Sequence, residues 1–247
     1  MHIPDGIVPA QICAAGYGLT GLLTWYSLRK IDRETQGDPA ASIPKAALLT
    51  AAFFVASSIY IPIPPSSVHL LLNGLLGVVL GYFAFPAILI GLFFQALIVG
   101  HGGLTTLGVN AAMMGLPALL AYHIFQLRLL KTRLFKDKLL KNKLLKNESL
   151  KNKLNQNKLN QQDSPKPFVT GLFAFLGGAI GLAATALIFI VLVITTIPAD
   201  FNAQAERAAV ITLTLSHIPL ALLEGTFTTM LVLFLQRVKP ELLGGNL

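Results

Sequence analysis

Long apolar runs alternate with short polar segments along the whole chain. Seven such runs can be read, at approximately residues 7–28, 45–63, 68–84, 86–100, 103–127, 168–197 and 208–236. An α-helix needs about 20 apolar residues to cross a bilayer core of about 30 Å, and most of these runs approach or exceed that length. The pattern predicts an all-α, polytopic membrane protein with seven transmembrane helices in a single membrane domain.

The composition agrees with this prediction. Hydrophobic residues make up 54% of the chain and charged residues 12%, and the mean hydropathy is +0.67. Soluble domains carry roughly a quarter of charged residues. Cys13 is the one cysteine, which excludes a disulfide within the chain. No Lys or Arg precedes the first apolar run, so the start does not resemble a signal peptide and we expect it to be retained.

The distribution of Lys and Arg predicts the orientation in the membrane. Basic residues follow the first, fifth and seventh runs, and an excess of this kind is typical of cytoplasmic loops. We therefore expect the N-terminus outside, the C-terminus in the cytoplasm, and the protein in the cell inner (plasma) membrane. His2, His69 and His101 then share the outer boundary, although they come from separate parts of the chain.

Residues 128–166 account for the net charge of +8. They contain twelve Lys or Arg and three acidic residues, and a five-residue repeat rich in Lys, Asn and Leu runs through 136–160. Because a period of five keeps no single helix face apolar, we expect a basic, low-complexity cytoplasmic insert. It either contacts anionic lipid headgroups or is a loop expansion without function. The rest of the chain is nearly neutral, so its charge does not indicate a nucleic-acid partner.

The chain begins with a pair of residues that can chelate a metal. The Met1 amine, the His2 amide nitrogen and a His2 ring nitrogen can bind one ion together, closing two small fused rings. Planar nitrogen coordination is typical of Ni²⁺ and Cu²⁺, and of a Co²⁺ forced towards planarity. This chemistry needs a free amine, and we expect Met1 to be kept because His2 is not a small residue.

His69 is the predicted fourth ligand. The prolines of the 61–68 linker end the helix before it. Irregular backbone at membrane depth is tolerated only where protein buries it or where it lines a cavity. His69 would lie at the lip of such a cavity, or else be an ordinary hydrogen-bonded surface histidine.

A glycine-rich stretch around His101 predicts a tight turn between two helices. Thr105, Thr106 and Asn110 follow it, and polar groups inside a membrane usually face the interior of the helix bundle. They would either orient a ligand histidine, as metal sites commonly require, or only form hydrogen bonds between helices.

Two further features concern helix contacts. Ala10, Ala14 and Gly18 lie four residues apart, a spacing that lets helices approach closely in a bilayer. This stripe is either a docking face for another membrane subunit or internal packing.

Glu224 is a carboxylate in the last apolar run, on the same helix face as His217. We expect Glu224 in the cytoplasmic half, in helix packing or partner coupling.

The chain resembles the substrate-binding membrane components of cobalt and nickel energy-coupling-factor (ECF) transporters, the CbiM/NikM family. The resemblance is carried by the opening Met-His-Ile-Pro-Asp-Gly, by 67–70, by the run 101–110 and by 217–225. It implies a seven-helix fold and a square-planar nitrogen site. The ligands implied are the Met1 amine, the His2 amide and ring nitrogens, and a ring nitrogen of His69.

The resemblance also implies supporting residues and partners. Ser67, His101, Thr105 and Asn110 are expected to support the ligands, and Ni²⁺ or Co²⁺ is the transported substrate rather than a resident cofactor. The expected partners are two ATPase subunits, a transmembrane coupling subunit and a small auxiliary membrane subunit. The chain contains no Gly-Lys dipeptide, hence no phosphate-binding loop of the usual type, so ATP hydrolysis would come from these partners.

Two other classes remain as alternatives: an intramembrane metal-dependent enzyme, and a channel or non-transporting structural subunit. Neither a His-Glu-x-x-His nor a Gly-x-Ser-x-Gly pattern is present, which counts against the common intramembrane hydrolases. The residues do not decide between nickel and cobalt, since both fit a plane of four nitrogens.

Overall fold

The fold is a bundle of helices with one short hairpin. The computed structural model describes residues 2–63, 66–144, 166–196, 211–212 and 215–243, with side chains except at 60–68 and 131–144. The elements within these residues are α1 (Ala10–Glu34), α2 (Ile43–Ser57), β1 (Tyr60–Ile63), β2 (Ser66–His69), α3 (Asn73–Leu80), α4 (Ala84–Phe94), α5 (Leu107–Leu144), α6 (Pro167–Thr196) and α7 (His217–Val238).

The hairpin replaces part of two predicted helices. β1 and β2 pair antiparallel, with Tyr60 opposite His69 and Ile63 opposite Ser66. The predicted run 45–63 therefore ends as a helix at Ser57, and the run 68–84 becomes helical only at Asn73. Proline supplies no backbone donor and resists helical continuation, which explains the early end of α2.

Among the residues that the structure describes, five stretches are long and apolar enough to cross a membrane. They are Ala40–Ser57, Asn73–Val99, Leu107–Leu130, Pro167–Thr196 and His217–Val238. The less apolar α1 is not among them, and the second stretch contains both α3 and α4. The prediction of a polytopic helical membrane protein agrees with this result, whereas seven crossings and the orientation of the termini stay predictions.

The chain reverses direction between α3 and α4. Gly81 has φ +60° and ψ −128°, a conformation that residues with a Cβ rarely adopt. His69 and His101 flank the two helices in sequence, yet their rings lie 5.1 Å apart between centroids. Because His69, before α3, and His101, after α4, lie close together, the two helices run in opposite directions.

α3 is the centre of the bundle. All eight of its residues are buried, and it packs against α5, α6 and α7. Small residues make this close packing possible, as is common in membrane proteins. A Cβ placed on Gly77 would lie 1.9 Å from the Ala118 carbonyl oxygen of α5.

Two buried or half-buried cations bind the end of the described chain. Lys45 Nζ donates to the carbonyls of Val79 (3.2 Å) and Leu242 (3.1 Å), and Arg128 Nη2 donates to Leu243 O (2.8 Å). Arg128 is therefore part of the packed body, although its charge counted towards the predicted insert. α5 continues as a helix through Leu144, and residues 145–165 of the insert lie outside the described residues.

Substituting Gly77→Ala tests the packing of α3. We expect the free energy of unfolding to fall by about 1–3 kcal/mol, because the new methyl group meets backbone that cannot rotate away. Thermal unfolding in detergent measures the change. Gly18→Ala is the matched control: nothing lies within 4 Å of its Cβ position, so stability should stay or rise by up to about 1 kcal/mol. Equal stability of Gly77→Ala and the parent protein would contradict the packing.

Candidate metal centre

Three histidines from distant parts of the chain converge at one place. His2 lies in the N-terminal segment, His69 ends β2, and His101 lies in the turn before α5. Ligand atoms of the three rings all lie within 4.8 Å of one another. The ring centroids are 5.0 Å apart for His2 and His69 and 4.1 Å apart for His2 and His101. This spacing allows one metal ion to contact all three rings.

The cluster is withdrawn from solvent. His69 is 3% exposed, and His2 and His101 are half-buried. Both ring nitrogens of His2 are buried and have no partner at ordinary hydrogen-bond distance within the part of the chain that the structure describes, although the Gln95 side chain is close enough to interact with the ring. Buried polar atoms normally have partners, so a histidine of this kind is a good candidate for a metal ligand.

Burial also favours the uncharged rings. It lowers the pKa of His2 well below its ordinary value, that of His69 to about 2 and that of His101 to about 4. Neighbouring histidines add to the shift, because a second positive charge nearby is unfavourable. The rings are therefore neutral at pH 7, which is the form that binds metals.

Asn110 holds the N-terminal segment next to the cluster. Its Oδ1 accepts the Ile3 N–H (2.9 Å) and its Nδ2 donates to the Ile3 carbonyl (3.0 Å). Thr106 Oγ1 donates to the same carbonyl at 2.7 Å. The Ile3 side chain is 1% exposed, so the residue after His2 is fixed by both its backbone and its side chain.

Asp5 makes a second attachment to the same turn. Its Oδ1 accepts the backbone N–H (3.0 Å) and the hydroxyl (2.5 Å) of Thr105, and the N–H of Thr106 at 3.3 Å. The Thr105 hydroxyl hydrogen bond is the main reason that the pKa of Asp5 is lowered. Gly103 makes room for this carboxylate, since a Cβ there would lie 1.8 Å from Oδ1.

The predicted supporting residues take different positions. Thr105 and Asn110 contact the N-terminal segment, Thr105 through Asp5 and Asn110 through the backbone of Ile3. His101, predicted as support, lies in the cluster itself. Met1 lies outside the described residues, and Ser67 is described only as backbone of β2.

The residues predicted for partner coupling lie in two different surroundings. Ala10, Ala14 and Gly18 lie exposed, and the close contact of α1 with α5 uses Gly16 and Gly108 instead. Glu224 was expected in the cytoplasmic half. The structure places it beside the chain that follows His69, where Oε1 accepts the N–H groups of Leu71 and Leu72.

Sequence reasoning missed Asp5 as a site residue. It named Thr106 only together with Thr105 and Asn110, as groups that either orient a ligand histidine or form hydrogen bonds between helices. Both lie within motifs that carried the resemblance, Asp5 in the opening hexapeptide and Thr106 in the 101–110 run. An acidic residue at the N-terminus followed by a Gly-Gly-x-Thr-Thr turn was the available signal, because exposed backbone N–H groups before a helix bind carboxylates.

Similar proteins support a single family. A Haemophilus influenzae protein named provisionally as a metal transport protein is 40% identical over 129 residues, which cover 52% of this chain and 59% of the relative. The fused nickel transport protein NikMN of Rhodobacter capsulatus is 37% identical over 116 residues, 46% of this chain and 33% of the relative. The chain thus spans only part of the length of these curated relatives.

A solved structure shares the fold. The crystal structure of a transition metal transporter superposes with a TM-score of 0.68, covering 96% of this chain and 93% of the other at 22% identity. The family model described as the cobalt uptake substrate-specific transmembrane region, CbiM, matches residues 2–242. This chain therefore belongs to the CbiM family.

Proposed function

We propose that this protein captures Ni²⁺ or Co²⁺ at the outer face of the membrane and imports it as the substrate-binding component of an ATP-driven ECF transporter. The observation that supports this best is the convergence of His2, His69 and His101 beside a chain start clamped in place. The family of the chain and the nickel transport named for one relative agree with it.

The proposed ligands are the Met1 amine, the His2 amide and ring nitrogens, and a ring nitrogen of His69. Asn110 occupies the hydrogen-bonding groups of Ile3, so the amide that loses its proton to the metal is that of His2. His101 lies close enough to replace a ligand during entry or release, or to shield the ion from water.

The N-terminal nitrogens set the expected preference among metals. Three imidazoles alone would also suit Zn²⁺, which favours tetrahedral sites. Adding an amine and an amide to the set favours planar coordination, hence Ni²⁺, Cu²⁺ or a low-spin Co²⁺. Separate ATPase subunits, a transmembrane coupling subunit and a small auxiliary subunit are proposed to supply the energy for import.

Extending the N-terminus tests the role of the terminal amine. Five residues without histidine, added before Met1, convert its amine into an amide and keep the new amine too far from His2 to close small chelate rings with it. We expect stoichiometric Ni²⁺ and Co²⁺ binding to be lost, as isothermal titration of the purified protein would measure. The same five residues added after Leu247 are the control and should leave binding unchanged. Undiminished binding by the N-terminally extended protein would remove the amine from the site.

The histidine variants separate ligand from support. His69→Ala should weaken Ni²⁺ binding by more than the roughly 100-fold that losses in the outer shell of a metal site reach, because it removes a ligand. His101→Ala should have the smaller effect. His123→Ala is a matched control, since its ring lies against Tyr82 and Tyr122 away from the cluster. A larger loss from His101→Ala than from His69→Ala would reverse the assignment of the two residues.

Asn110→Leu tests the clamp on the N-terminal segment. The variant leaves the Ile3 N–H without its acceptor and the Ile3 carbonyl with the Thr106 hydroxyl in place of two donors. We expect Ni²⁺ affinity to fall by about 10- to 100-fold, although every ligand residue is retained. Competition with a chelator of known affinity measures the change. Asn110→Asp, which keeps the acceptor for the Ile3 N–H, should lose less. Full affinity in Asn110→Leu would show that the segment needs no clamp.

A further inference from the structure

Glu224 of α7 makes an unusual contact with unwound chain inside the bundle. It is 1% exposed, and its Oε1 accepts two consecutive backbone N–H groups, those of Leu71 and Leu72, the latter at 3.0 Å. Leu70–Leu72, which we name the approach segment, joins His69 to the first residue of α3. Unwound backbone that is buried inside a bundle needs hydrogen-bond acceptors from neighbouring groups, and Glu224 supplies one.

The approach segment turns into a helix through a residue in a rare conformation. Leu72 has φ +51° and ψ 10°, in the left-handed region that residues with a Cβ seldom adopt. Its N–H is bound by Glu224, and its carbonyl accepts the N–H of Leu76 at 2.9 Å. The turn is thus held from both sides, and Glu224 fixes the residue that directly precedes α3.

The next residue attaches the segment to two other helices. Asn73 Nδ2 donates to Thr185 Oγ1 (2.7 Å) and Gly181 O (3.3 Å) in α6 and to Met114 O (3.2 Å) in α5. With Glu224 on α7, these contacts fix the backbone beginning two residues after His69. So short a connection leaves the His69 ring little freedom to move relative to the helices.

We propose that Glu224 is a positioning residue: its carboxylate oxygen fixes the approach segment and thereby holds the His69 ring in line with His2. This inference rests on the proposed function, because His69 is a metal ligand only there. Glu224 acts through its reach and its acceptor oxygen. Its negative charge plays no part in holding the ion.

A competing role is a second cation site. The other oxygen, Oε2, is buried and has no hydrogen-bond partner within the described residues, so a carboxylate here could instead attract an ion on its way inward. The two roles make opposite demands on substitutions. Positioning needs an acceptor oxygen that reaches as far from the backbone of α7 as that of Glu224, whereas cation binding needs a negative charge.

The experiment therefore compares two single variants, Glu224→Gln and Glu224→Asp, each in the full chain with a free N-terminus. Gln keeps the reach and an acceptor oxygen but has no charge, and Asp keeps the charge but is one methylene shorter. Ni²⁺ alone is the probe. Its affinity is measured by chelator competition, and its coordination by the visible absorption of the bound ion.

We expect Glu224→Gln to keep the parent affinity and spectrum. Glu224→Asp should lose about 10- to 100-fold in affinity, and its spectrum should move towards that of His69→Ala at saturating Ni²⁺. Thr228→Val is the matched control, since Thr228 lies on the same helix, is fully buried and makes no hydrogen bond through its hydroxyl within the described residues. It should behave as the parent protein.

Any other pattern overturns the inference. If Glu224→Gln loses Ni²⁺ affinity and Glu224→Asp keeps it, the negative charge of Glu224 matters and its length does not. If the two variants have the same Ni²⁺ affinity, the carboxylate oxygen does not position His69. If Glu224→Asp does not fold, Glu224→Met, of similar length without an oxygen, takes its place with the same expectation. Failure of the parent protein to bind Ni²⁺ or Co²⁺ would instead be a failure of the proposed function.

Discussion

The account depends on the hydrogen-bonded attachment of the first residues to the start of α5. Residues 2–9 form no helix or strand, so nothing in their own backbone places them. Asn110 binds both polar groups of Ile3, and Asp5 binds the turn before α5. Without this attachment no regular structure would hold His2 beside His69 and His101. The proposed metal centre therefore requires that the chain start stays folded back.

The same principle holds on the other side of the centre. His69 is followed by unwound chain, and polar side chains of neighbouring helices supply the partners that a helix would have given it. Helices thus form a rigid frame, and the ligands lie on irregular segments bound to that frame by buried side chains. Such segments can place a nitrogen where no helix face could, and Glu224 and Asn110 supply hydrogen-bond partners to backbone groups of these segments.

Much of the fold could be predicted from the sequence, since apolar runs of sufficient length and helix-ending prolines are local signals. The shared boundary of His2, His69 and His101 followed from counting these runs. The hairpin, the start of α3 at Asn73 and the depth of Glu224 could not be predicted in this way. They depend on which carbonyl or carboxylate reaches an unwound backbone from another helix, and hydrophobic periodicity contains no information about such contacts. Asp5 is a different case: the sequence shows both the carboxylate and the Gly-Gly-x-Thr-Thr turn, but their pairing depends on the fold because Asp5 and Thr105 lie 100 residues apart.

X-ray absorption spectroscopy of the Ni²⁺-loaded protein with an untagged N-terminus tests the central claim most directly. The account predicts four nitrogen neighbours in a plane, one of them a deprotonated amide, with no sulfur ligand. A six-coordinate shell dominated by oxygen, or one that stays the same when His2 is replaced, would contradict it.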